Sequence, residues 1–207
     1  MSNELYFLLS TLVLLSISTV VLRLFPAYTI PLIGTLMVGI STCGAAEIKV
    51  LGLHSNTGNI FYGTVMYLTS MQVLMAGRER VIKSIKKVFF VLICLQLLFW
   101  ILWINPHPVP LFLGVVVNSS ANIVAASFLA FVISQACCVF LVERLKGFAI
   151  PSILAQVVDS AIFFPIAFYG KIGSVFDFAI DGLKIKIVVA LLAWPFGASI
   201  IKKRSTA

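Results

Sequence analysis

The apolar residues of this chain neither alternate nor keep to one side of a helix. They run almost unbroken over seven stretches, residues 5–22, 27–46, 59–76, 88–104, 121–142, 152–169 and 183–201. Each is close to the about 20 mostly apolar residues that a helix needs to cross a bilayer. Such runs leave no room for the alternating strands of a barrel, so helices are the expected element. The third stretch carries Thr64, Tyr67, Thr69, Ser70 and Gln72. That polarity predicts a helix packed inside the bundle. Residues 105–120, "NPHPVPLFLGVVVNSS", are too broken by proline for a clean span and are expected to hold a short interfacial or re-entrant piece.

Composition agrees with this pattern. Hydrophobic residues make up 61% of the 207 and charged residues 11%, where soluble domains carry roughly 25% charged residues. The chain is therefore expected to be an all-α integral membrane protein, a single compact bundle of about seven spans with no separate soluble domain. The first stretch follows an acidic "MSNE", where a secretory signal needs positive charge, so it is expected to be a retained helix. Cys43, Cys94, Cys137 and Cys138 all fall in apolar stretches and read as small buried hydrophobes.

The formal net charge of +8 raises the question of nucleic acid, but topology accounts for it. Eleven of the fifteen basic residues would share one side of a seven-span bundle: Arg23, Arg78, Arg80, Lys83, Lys86, Lys87, Arg144, Lys146, Lys202, Lys203 and Arg204. Lys49, Lys171, Lys184 and Lys186 would take the other. The excess marks the cytoplasmic side, which places the N-terminus outside and the C-terminus in the cytoplasm. No nucleic-acid partner is needed. The sequon at Asn118 would then face outward.

Ionisable and amide groups inside the spans carry the chemistry. Asp159 lies near the middle of "SILAQVVDSAIFFPIAFYGK", where a carboxylate costs about 2.5–3.5 kcal/mol to insert and usually faces the bundle interior. Ser152, Gln156, Asp159 and Ser160 fall three or four apart and so share a polar edge. Leu154, Val157, Ala161 and Phe164 form the opposite, apolar edge. Gln135 is equally central in the fifth span, beside Ser134. Lys186 enters the seventh span and can neutralise Asp159 if their depths match; otherwise it snorkels to the outer interface. These groups can also serve only as hydrogen-bonding glue between helices. A carboxylate exceeds what glue requires, which favours a ligand or proton site at Gln156 and Asp159. His54 and His107 read as solvated loop residues. There is no Gly-rich phosphate loop, HExxH or GxSxG, so no enzyme, cofactor or metal site is expected.

Several stretches together resemble a known family. "ASFLAFVISQ", "FLVERLKG", "SILAQVVDSAIFFPIAFYG" and "LKIKIVVALLAWP" are similar to the queuosine precursor transporters, also called the vitamin uptake transporter family. Ala126, Ser127, Gln135, Arg144, Ser152, Gln156, Asp159, Ser160, Phe168, Gly170, Lys186 and Pro195 fall on its pattern. "AAEIKVLGL" and "GNIFYGTVMYLTS" resemble its first two core helices more loosely. The resemblance covers roughly 27–201, which implies six core helices there and an extra N-terminal helix over 1–25. Three positions depart from it: Ser70, Leu74 and Cys138 stand where the family carries acids.

The resemblance implies a multi-pass protein of the cell inner (plasma) membrane that imports 7-cyano- or 7-aminomethyl-7-deazaguanine by alternating access. The residues fit such cargo without it. A carboxylate accepts two adjacent N–H donors of a guanine-like edge, and glutamines supply both donor and acceptor. Asp159, Gln156, Gln135, Ser160, Ser152 and Lys186 are the expected binding residues, with Tyr67 or Phe163 as the stacking face. Two alternatives stand beside this: a substrate-binding subunit of a multi-component importer with energising partners, and a membrane scaffold in which Asp159 and Lys186 pair for packing. A homo-oligomer is compatible with any of them.

Overall fold

A computed structural model describes residues 2–43, 47–104, 121–168 and 175–205. The re-entrant piece expected within 105–120, the Asn118 sequon, His107, Gly170 and Lys171 lie outside the described residues. Among the described residues seven α-helices run in chain order: α1 (Asn3–Leu24), α2 (Thr29–Cys43), α3 (Gly58–Ala76), α4 (Arg78–Ile104), α5 (Ala121–Leu145), α6 (Ala149–Phe168) and α7 (Val175–Ser205). A single 3-10 turn, Pro26–Tyr28, leads from α1 into α2.

Among the described residues the secondary structure is helical except for one hairpin. β1 (Glu47–Val50) pairs antiparallel with β2 (Leu53–Asn56), so residues 47–53 of "AAEIKVLGL" form a hairpin and not the core helix that the resemblance implied. The physical reason is local. Leu51 (φ 53°) and Gly52 (φ 77°) both take the left-handed conformation, as a two-residue hairpin turn demands. Val50 then docks with Phe7, Ile60, Ile185 and Val189 in a small apolar cluster.

Tight connections set the packing. Gly77 alone joins α3 to α4 with φ +83°, a conformation that costs glycine nothing. Lys146 (φ 51°) ends α5, its N–H bonded to the Val142 carbonyl, and Pro151 sits in the first turn of α6, where its missing N–H is harmless. α3 is the axis of the bundle. It touches all six other helices and is buried almost throughout from Gly58 to Val73. That explains its polarity: a helix shielded from lipid can carry hydroxyls and an amide, provided they find partners.

Among the described residues four helical segments are long and apolar enough to cross a bilayer: Asn3–Leu24, Ala126–Leu145, Ala149–Ala167 and Ala179–Lys202. Pro26–Ile40 is apolar but shorter. α1 belongs to the packed body. Leu15 and Leu22 are fully buried, and the Arg23 guanidinium donates to Ser199 Oγ on α7 at 2.6 Å.

Two sets of contacts mark opposite ends of the bundle. At one, the Asn3 amide donates to the Lys49 carbonyl, the Leu51 N–H to Glu4, and the His54 N–H to Asp181. At the other lie Arg23 with Ser199 and an exposed Arg78–Glu143 ion pair at 2.9 Å.

Candidate functional site

Helical spacing brings the polar side chains of four helices onto one another. On α6, Ser152, Gln156, Asp159 and Ser160 are all buried, while Leu154 and Val157 on the outer face are exposed. Phe164, grouped above with that outer face, is instead buried. It lies four residues after Ser160, so it shares the inner face and not the outer one.

Lys186 reaches in from α7. Its ammonium donates to Asp159 Oδ2 at 2.6 Å and to Ser160 Oγ at 3.0 Å. Lys186 is 2% exposed and Asp159 5%, so the lysine does not snorkel to the interface. Among the described residues these are the only buried charged side chains. The ammonium also faces two rings, with the Tyr62 centroid at 5.0 Å and the Phe164 centroid at 5.7 Å. Both lie within cation–π range. The Tyr62 hydroxyl is hydrogen-bonded to Ser134 of α5. One charge pair thus sits in an otherwise neutral shell drawn from α3, α5, α6 and α7.

A second polar layer lies towards the N-terminus of α6. Ser70 Oγ contacts Ser152 Oγ at 2.8 Å and Cys138 Sγ at 3.1 Å. The Gln156 amide donates to the Ser152 carbonyl at 3.2 Å, and the Gln135 amide to Met66 Sδ at 3.5 Å. The carbonyl oxygens of Gln135 and Gln156 are buried and accept no hydrogen bond among the described residues; nor does the Thr69 hydroxyl have a partner there. Orphaned buried acceptors are rare and costly. Ser70 and Cys138, two of the positions where the resemblance implied acids, touch each other. Leu74 is half-buried against the apolar core.

Of the residues expected at the site, the structure gathers Asp159, Ser160 and Lys186 around the ion pair, and Ser152, Gln156 and Gln135 in the adjoining layer. Tyr67 is turned elsewhere. Its hydroxyl contacts Thr19 of α1 at 3.0 Å and its ring packs edge-on against Phe148. Phe163 stands edge-on to Phe164, the ring nearer the ammonium. The aromatic at the ion pair that sequence reasoning missed is Tyr62. The available signal was helical spacing, since Tyr62, Met66 and Ser70 are four apart and present one face.

Fold and site together define a polytopic, predominantly helical membrane protein with a buried ion pair and a hydrogen-bonding core. The family model described as "Putative vitamin uptake transporter" matches residues 56–200, and the chain belongs to that family. That description is of a transporter. The match begins at the end of the hairpin, later than residue 27, and takes in every residue of the polar core. No curated protein and no solved structure matches the chain.

Proposed function

We propose that this protein imports a small planar heterocycle, a 7-deazaguanine precursor of queuosine in its cyano or aminomethyl form, across the cell inner membrane. The observation that carries the reading is the polar core: a buried Asp159–Lys186 pair, with two buried glutamine oxygens that lack donors among the described residues. A guanine-like edge offers adjacent N–H groups of the kind those acceptors need. Tyr62 and Phe164 supply aromatic surface. Asp159, Gln156, Gln135, Ser160, Ser152 and Lys186 are the proposed cargo contacts, with Tyr62 in place of Tyr67. The core is closed to solvent, so transport requires the helices around it to part alternately to either side, as in other carriers with mid-membrane sites. Seven spans, with the N-terminus outside and the C-terminus cytoplasmic, complete the reading.

Uptake of labelled 7-cyano- and 7-aminomethyl-7-deazaguanine into cells unable to make queuosine tests it. Accumulation should depend on the protein and fall at least tenfold in Asp159→Asn. No protein-dependent accumulation of either compound overturns the reading.

One observation favours a second reading. Asp159 is already satisfied by Lys186, as a scaffold using the pair for packing specificity would require. Asp159→Asn with intact uptake and lowered bundle stability would establish that alternative.

A further inference from the structure

The charge balance of the core narrows the cargo. Its one carboxylate, Asp159, is spent on Lys186. Among the described residues no second acid is buried there to receive another cation. α3 contributes Tyr62, Met66 and Ser70, α5 contributes Ser134, Gln135 and Cys138, and α6 adds Ser152, Gln156 and Ser160. All of these side chains are neutral. The other charged side chains described on the neighbouring helices, Glu143 and Arg144 on α5 and Asp177, Asp181, Lys184 and Lys202 on α7, are not buried in the core. Ser70 and Cys138 satisfy each other. What the core leaves open is acceptor capacity, at the oxygens of Gln135 and Gln156.

We infer that Lys186 is the specificity-determining residue of this carrier: a built-in countercharge that keeps the site neutral and selects an uncharged, N–H-rich heterocycle over a cationic one. This rests on the transport reading above and deepens it. A neutral ligand can donate to the glutamine oxygens and to the outer lone pairs of Asp159 without breaking the ion pair. A cationic ligand meets the Lys186 ammonium, and like charges close together in a partly dry interior repel strongly. An anion would have to take Lys186 from Asp159 and leave a buried carboxylate alone, which is costlier still. Of the two deazaguanines, the nitrile is uncharged. The aminomethyl form carries a primary amine that, like a lysine side chain, is protonated at neutral pH. The prediction is therefore asymmetric for two ligands of nearly the same shape.

The test is equilibrium binding to the purified full-length protein in lipid nanodiscs, by calorimetric titration with each deazaguanine. The wild type should bind the cyano form at least tenfold more tightly. Lys186→Arg keeps the charge and should keep that ratio. Lys186→Met frees Asp159 for a ligand cation and should shift the ratio towards the aminomethyl form by tenfold or more. Thermal melting of each sample checks that it is folded. If Lys186→Met does not fold, the wild-type ratio still decides. Equal affinities, or a preference for the cationic form, would overturn the inference and leave the transport reading standing. Binding of neither compound to folded wild type would overturn both.

Discussion

At Asp159 and Lys186 the energetics are those of a buried ion pair. Each charge has lost water, and the 2.6 Å contact compensates only while both partners are present. Removing one partner of such a pair typically costs about 3–5 kcal/mol, whereas replacing both by apolar groups can be nearly neutral. Asp159→Asn and Lys186→Met should therefore each lower the melting temperature markedly in detergent, and the double variant should recover most of the loss. Uptake should stay low in Asp159→Asn and in the double variant even where stability recovers, which separates cargo binding from stability. If the double variant is no more stable than either single one, the two groups are not coupled. Tyr62→Phe is a finer probe. It leaves Ser134 without the tyrosine hydroxyl, a loss of about 1 kcal/mol, and keeps the ring over the ammonium. Stability should fall slightly, and uptake should fall more if the hydroxyl contacts cargo.

Among the elements, α3 and α7 approach closely enough that glycine is required between them. A methyl added at Gly63 would lie 2.5 Å from Val189 Cγ1 and 2.9 Å from its Cβ, and a β-branched side chain cannot swing away. Gly63 adjoins Tyr62 in sequence, and Val189 lies one helical turn beyond Lys186, so this contact also sets the distance from ring to ammonium. Gly63→Ala should destabilise the protein by about 1–3 kcal/mol, in the range of overpacked cores. Gly34→Ala, with nothing within 4 Å of its new methyl, should leave stability unchanged or slightly raised. Equal effects at the two sites, measured by thermal melting, would disprove the close α3–α7 contact. The same scale shows why Phe164 was placed on the wrong edge of α6. Its apolarity suggested lipid, yet its spacing from Ser160 points inward, where a ring beside Lys186 is as well accommodated as one against acyl chains.

For the whole molecule, the open matter is orientation. Arg23 with Ser199 and Arg78 with Glu143 mark one end of the bundle; the hairpin with Glu4 and Asp181 marks the other. With Lys186 buried in the core, it no longer counts towards the far side, and the basic bias sharpens to eleven against three. The Arg78–Glu143 pair is exposed on both sides and contributes little to stability, about 0–1 kcal/mol; its value here is as a marker of which ends meet. In a background without native cysteines, Leu51→Cys should react with an impermeant thiol reagent added to intact cells. Leu145→Cys should react only after permeabilisation. Both positions are exposed, so the reverse pattern would invert the topology.

The membrane class, the helical elements and the inner polar edge of α6 were legible in the sequence by itself, because each follows from local rules: apolar length against bilayer thickness, and residues three or four apart sharing a face. The central place of α3 was legible too, from hydroxyls that lipid would not tolerate. The hairpin was not, because four-residue strands have too short a period to separate from a helix end, and Leu51 gives no hint of a positive φ. Nor was the choice of Tyr62 over Tyr67. The two are five residues apart and so point to different neighbours, and only the positions of α1 and α7 send one to Thr19 and the other to Lys186. The pairing of Asp159 with Lys186 was left conditional on depth for the same reason. Depth is set by how α6 and α7 register against each other along the bundle, which only their packing decides.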